Sequence, residues 1–233
     1  MHKVLFFILL TATLAAATID VAFMLSEPRA DWEEVLGFFE DDGRFGEIDY
    51  YDCSSDTPPV GVFVLYDVVV VGGVAEYGDY MVFGDRLADY VDQGGWVVVE
   101  GGKLAHRSYG GIGGRWFDAG YSPYYSILRY PLEDPEDLII DQSDHYIFTG
   151  VERLWDCCWR IDTTMREGAT ELAHFADAGG VAVNAAESVV GLNFLSSDEW
   201  IGEGYLIMAN AACFLAGYAD VQETSWGQIK ATF

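Results

Sequence analysis

Apolar positions are densest over residues 66–102, where two β-branched runs, Asp67–Val71 and Trp96–Val99, end in glycines and enclose an amphipathic segment. Four consecutive valines suit a strand buried on both faces of a parallel sheet. Between the runs, Phe83, Leu87 and Val91 recur at i, i+4 and i+8 while Asp85, Arg86, Asp89 and Asp92 face elsewhere, which predicts a helix with one buried stripe. Gly94 is placed to take the left-handed conformation that ends it. Strand, crossover helix and parallel strand make a right-handed βαβ unit. Ligands of such sheets collect at the carboxyl ends of the strands, here 72–79 and 100–106.

The pattern extends this unit on both sides. Ile19–Leu25 reads as a strand, then a helix capped by Asp31 with Trp32, Val35, Leu36 and Phe39 on its buried face, then a short strand Glu47–Tyr51 and a helical approach over Thr57–Leu65. Alternation of this kind predicts a three-layer, doubly wound α/β fold with a mainly parallel sheet. Beyond Gly102 the texture changes. Lys103–Tyr125 has no period and reads as a long Gly/aromatic loop, followed by a strand at Tyr125–Tyr130, a charged turn at Pro131–Asp137 and a strand at Trp155–Ile161. Thr170–Ala176 and Val181–Ala185 alternate around Asp177-Ala178-Gly179-Gly180, the signature of a β-hairpin that adds antiparallel strands to the sheet. Val189–Phe194 follows, and Ser196 with Glu199 has capping-box spacing before an apolar closing helix, Trp200–Ala216.

The first 17 residues carry a different signal. Lys3, the apolar run Val4–Leu10 and the small residues Ala15-Ala16-Ala17 follow the order of a secretory signal peptide. The expectation is a signal over 1–17, an α/β domain over 18–218, and a carboxy-terminal amphipathic tail over 219–233 with Trp226, Ile229 and Phe233 on one face. That places the protein outside the cytoplasm: secreted, periplasmic or on the cell surface, with no membrane span in the mature chain. The formal charge of −26 over 233 residues argues against nucleic acid and anionic lipid as partners. An acid-rich surface fits high salt, bound Ca²⁺ or simple solubility, and composition does not separate them. Four cysteines, Cys53, Cys157, Cys158 and Cys213, permit up to two disulfides in three pairings. Cys213, in the apolar closing helix, reads as a buried free thiol.

Candidate chemistry gathers at the strand ends. Glu100 closes the strand 96–99, where a desolvated carboxylate would act as an acid, a base or a metal ligand, or else be tied to loop amides or to Arg107 or Arg115. Glu76 and Asp79 follow the neighbouring strand, and the three carboxylates together would attract Ca²⁺, although Asp79 equally suits the cap of the following helix. His106 is the histidine best placed for proton transfer. His145 and His174 have no evident partner. In the Gly/aromatic loop, Arg115, Trp116, Tyr121, Tyr124 and Tyr125 would line a surface for a carbohydrate or a peptide, or else anchor the loop to the sheet.

Two passages carry a family resemblance. YDVVVVGG with LADYVDQGGWVVVEGG (66–102) resembles the central strands of the class I glutamine amidotransferase-like fold, in particular its ThuA-like branch. VVGLNFLSSDEW (189–200), with the apolar helix that contains Asn210-Ala211, resembles the late strand and closing helix of the same fold. The resemblance spans roughly 19–216. It implies a cysteine nucleophile at the elbow after the central strand and a histidine base on the late strand, and this chain has neither. The elbow reads Glu100-Gly101-Gly102-Lys103, and Leu195 stands where the histidine is expected. Three functions remain open at this point. The first is an exported, non-catalytic domain that binds a carbohydrate, another ligand or a protein at the strand ends and Gly/aromatic loop. The second is a carbohydrate-active hydrolase or lyase that uses Glu100 with His106 or a metal. The third is a structural module of a cell-surface assembly that works through its tail.

Overall fold

The computed structural model describes residues 18–104, 110–126, 131–132, 134–156, 160–196 and 202–218. The signal segment, His106, Arg107, Cys157, Cys158, Glu199 and the tail lie outside them. The first half runs β1 (Ile19–Leu25), α1 (Glu33–Asp41), β2 (Phe45–Asp52), α2 (Val60–Phe63), β3 (Val68–Gly72), α3 (Tyr80–Asp92) and β4 (Trp96–Glu100). A short helix, α4 (Gly114–Asp118), follows. The second half has β5 (Tyr124–Tyr125), β6 (Pro131–Leu132), β7 (Glu136–Asp137), β8 (Ile139–Ile140), β9 (Trp155–Asp156), β10 (Arg160–Ile161), β11 (Thr164–Met165), β12 (Thr170–His174), β13 (Gly179–Val183), β14 (Val189–Leu192) and α5 (Gly204–Leu215).

One eight-stranded sheet orders these as β2-β1-β3-β4-β14-β13-β12-β8. The pairs from β2 to β14 are parallel, and those from β14 to β8 antiparallel. The other small strands form two-residue ladders, β5 with β11, β6 with β10 and β7 with β9. The expected doubly wound sheet with an antiparallel extension is therefore present.

The valine runs split by the period of two onto opposite faces. Phe23, Val68, Val70 and Val98 pack with Trp32, Phe39, Ile207 and Met208 of α1, its 3₁₀ entry and α5. Met24, Val69, Val71, Val97 and Val99 pack with Phe63, Phe83, Leu87 and Trp116 of α2, α3 and α4. Burial on both faces explains why the strands read as unbroken apolar runs. Arg44 locks α5 in place. Its guanidinium is held by Asp42 and donates to Asn210 Oδ1 at 2.6 Å, while Asn210 Nδ2 reaches the carbonyls of Ile147 and Thr149.

Several expectations need correction. Asp31 does not cap α1, which is entered through a 3₁₀ turn, Arg29–Trp32, that leaves no free first turn at Asp31. The long loop contains α4, and 131–137 holds two strand segments rather than a plain turn. The strand expected over 155–161 is two segments with different partners. The closing helix starts at Gly204, and Ser196 is used elsewhere. Cys53 and Cys213 are buried free thiols. Among the described residues, no helix is long and apolar enough to cross a membrane.

Candidate functional site

Because β1, β3 and β4 are parallel, their carboxyl ends meet at one edge, and the residues following each strand converge there. Glu100 is fully buried. Its Oε2 accepts the Ser196 N–H at 2.9 Å, whereas Oε1 and the Ser196 hydroxyl have no hydrogen-bond partner. Glu27, just past β1, supplies a second buried carboxylate. It accepts the Trp32 indole N–H at 3.1 Å and the Val74 N–H at 2.8 Å. Glycines make this approach possible. A Cβ on Gly72 would lie 2.7 Å from Glu100 Oε1 and 2.7 Å from the Trp32 ring, and one on Gly73 would lie 2.9 Å from Glu27 Oε2.

The electrostatics follow from that crowding. Burial pushes the Glu100 carboxyl up to about 8, the Ser196 amide pulls it down, and the charge of Glu27 raises it again. The same burial favours the neutral form of Glu100. Lys103, also buried, donates to the carbonyls of Ala75 and Gly110 and lies 4.4 Å from the Tyr77 ring centroid. It fastens the loop after β3 to the loop after β4.

Two positions meet at the turn after β4. Gly101 takes φ +50° at the turn from β4 into the following 3₁₀ helix, Gly101–Leu104. A nucleophile elbow is such a strained strand-to-helix turn. A Cβ on Gly101 would lie 3.4 Å from Leu195 Cδ1 and 3.3 Å from the Phe194 carbonyl oxygen. Residues 101 and 195 therefore face each other, and they are glycine and leucine.

The remaining candidates scatter. Asp79 caps α3, its carboxylate accepting the Val82 N–H at 3.0 Å. Asp79→Ala is expected to lower stability by ~1 kcal/mol, read as a shift of the urea midpoint at unchanged m. Glu76 is exposed. Glu76, Asp79 and Glu100 form no metal-binding group, and no cluster of three or more such ligands exists among the described residues. Local demands explain the separation, since the cap holds Asp79 and the core holds Glu100. His174 bonds Asp141 at 2.7 Å at the end of β12, three strands from β4. His145 accepts the Ile147 N–H and packs on Phe214, and burial lowers its pKa.

Among the described residues, the aromatic side chains of the Gly/aromatic loop lie away from the carboxyl edge. Trp116 and Tyr124 are buried in the core. Arg115 pairs with Asp89 and Asp92 at 2.7 and 2.9 Å. Tyr121 stacks on Trp116 with centroids 5.6 Å apart, and its hydroxyl donates to Asp92 at 2.7 Å. The loop instead walls a cavity of about 530 Å³ at the opposite edge, beside the amino ends of β4 and β14. Asn184 shapes its far side by donating to the Tyr121 carbonyl and accepting the Ser188 and Val189 N–H groups.

Neither a scan against protein-family models nor a search of curated proteins finds a match. Solved structures do match. A putative ThuA-like protein from Bacteroides uniformis aligns over 88% of this chain and 94% of its own, with 14% identity and a TM-score of 0.62. A cytoplasmic protein from Salmonella typhimurium aligns over 84% and 98%, with 14% identity and a TM-score of 0.61. A glutamine amidotransferase from Thermotoga maritima aligns over 90% and 86%, with 13% identity and a TM-score of 0.52. The fold is amidotransferase-like. Within the sheet β4 and β14 are neighbours. At these identities the likeness concerns the fold, and the chemistry has to be argued from the residues.

Sequence reasoning missed Glu27, Arg166, Ser122 and Trp96. Glu27 was legible in part, as the first charged residue after a strand parallel to that of Glu100. The amino-edge residues were not, because nothing local announces that 120–123, 166–167 and 184–188 meet.

Proposed function

We propose that this chain is an exported amidotransferase-like domain that has lost glutamine chemistry and works by binding a ligand. The observation that carries this is that a side chain at position 101 would face Leu195, and position 101 is glycine. An acyl transfer needs a thiol or hydroxyl at the elbow and a base within hydrogen-bond reach, and a hydrogen and an isobutyl group supply neither. Export rests on the residue order of the first 17 positions. The binding reading draws on the amino-edge cavity, whose size falls in the usual range for small-molecule sites. The mature chain is expected to release no ammonia from glutamine above the spontaneous rate. Enzymatic release that disappears in Glu100→Gln would overturn this reading.

A second reading is kept alive by one feature, the buried Glu100 near Glu27, its carboxyl pushed up to about 8 by burial. A carboxylic acid neutral at pH 7 next to a carboxylate is the arrangement of an acid–base pair, so the carboxyl edge retains the makings of a hydrolase or lyase. Against it, both carboxylates are buried and engaged by backbone or indole N–H groups.

A further inference from the structure

The amino-edge cavity is lined by a guanidinium, that of Arg166, with no counter-ion among the described residues. Arg166 donates Nη2 to the Phe117 carbonyl at 3.0 Å, and its guanidinium carbon lies 5.5 and 5.1 Å from the ring centroids of Phe117 and Tyr125. Among the described residues no carboxylate pairs with it, and its Nε is buried without a hydrogen bond. Room for it comes from Gly120, at φ +77°, where a Cβ would lie 3.0 Å from Nη1. This is unusual in a chain with 38 acidic and 12 basic residues. Ser122, 6% exposed, lines the same cavity.

The other walls define what else the occupant carries. Asp92 is already neutralised by Arg115 and Tyr121. Glu167 is exposed at the rim. Trp96 and Tyr121 supply ring surface. One stacked cation without a carboxylate partner among the described residues suits a single carboxylate, because a guanidinium reads carboxylates in two-point fashion. The Glu167 carboxylate and the overall charge of −26 oppose a dianion such as a phosphate ester. Acceptors on two separate walls, Asp92 and Glu167, suit hydroxyls spread around a ring better than one ammonium group.

We propose, building on the binding reading above, that this cavity takes a hydroxylated monocarboxylate of the sugar-acid class, with its carboxylate on Arg166 and its ring against Tyr121 and Trp96. The test is titration calorimetry of the mature chain with glucuronate, glucose, glucose 6-phosphate and glutamate as probes. Glucuronate is expected to bind at least about tenfold more tightly than the other three, and Arg166→Gln to cost about tenfold or more, with partial recovery in Arg166→Lys. Glu167→Gln, at an exposed position, leaves the fold intact and is expected to raise glucuronate affinity about threefold, an effect that salt reduces. Equal binding of glucose, tighter binding of the phosphate ester or of glutamate, no binding of any probe at millimolar concentration, or indifference to Arg166→Gln would each overturn the proposal. None of these outcomes bears on glutamine hydrolysis, which tests the underlying reading separately.

Discussion

Glu100→Gln is expected to stabilise the protein at alkaline pH and to flatten its stability profile between about pH 5 and pH 8. The carboxyl has a value of 4.5 when solvated and is pushed up to about 8 in the fold, chiefly by burial. The folded state thus holds a proton that the unfolded state releases. Stability is then greatest below the unfolded value and falls as pH rises toward the folded one, by up to ~1.4 kcal/mol per pH unit. Across the window the wild-type chain is expected to lose ~3 kcal/mol from this group. Glutamine keeps an oxygen for the Ser196 N–H and carries no charge, so the variant escapes the loss. Other groups act in the opposite direction. Arg160 holds the Asp177 carboxyl below its ordinary value, and Arg44 does the same for Asp42 against the effect of burial. The measurement is therefore the difference between variant and parent in urea midpoints across the pH range. A constant difference would mean that Glu100 is ionised in the fold throughout.

The frame of the fold was legible because both faces of the sheet are buried. Valine runs such as Val68–Val71 and Val97–Val99 have nowhere to go but the centre of a parallel sheet, and Gly94, at φ +93°, ends α3 as its position implied. Two-residue ladders such as β6 with β10 left no trace, because a pair of residues has no period and their pairing is set by long-range contacts. The candidate site was half legible. Glu100 was placed by the strand that ends at it, and Gly101 and Leu195 by the motifs around them. The aromatic loop misled because composition alone does not say which edge a loop covers. Trp116 and Tyr124 are aromatic for the sake of the core, and Tyr121 faces the amino edge because it stacks on Trp116.

Asn193→Ala is expected to be the most damaging single change near the late strand. Asn193 sits directly after β14 and is fully buried. Its Oδ1 accepts the Ile161 N–H at 2.9 Å, and its Nδ2 donates to the carbonyls of Ile161 and Gly179 at 2.8 and 2.7 Å. One amide thus satisfies three backbone groups that belong to β10 and to the hairpin strand β13. Alanine leaves all three unpaired inside the protein at ~1–3 kcal/mol each with partial relaxation, so a loss of ~3–5 kcal/mol is expected. That is a large share of the 5–15 kcal/mol that typically holds a domain together. Asn193→Asp separates hydrogen bonding from volume. It keeps an acceptor for the Ile161 N–H but sets a carboxylate against two carbonyl oxygens, so its deficit should shrink as pH falls and the acid protonates. Urea unfolding gives the magnitude, and hydrogen exchange at Ile161 locates it. The same turn carries Leu195 onto Gly101 and the Ser196 N–H onto Glu100. Loosening it should therefore lower the Glu100-dependent part of the pH profile together with stability, whereas an Asn193→Ala chain with an unchanged profile would uncouple β10 from the carboxyl edge.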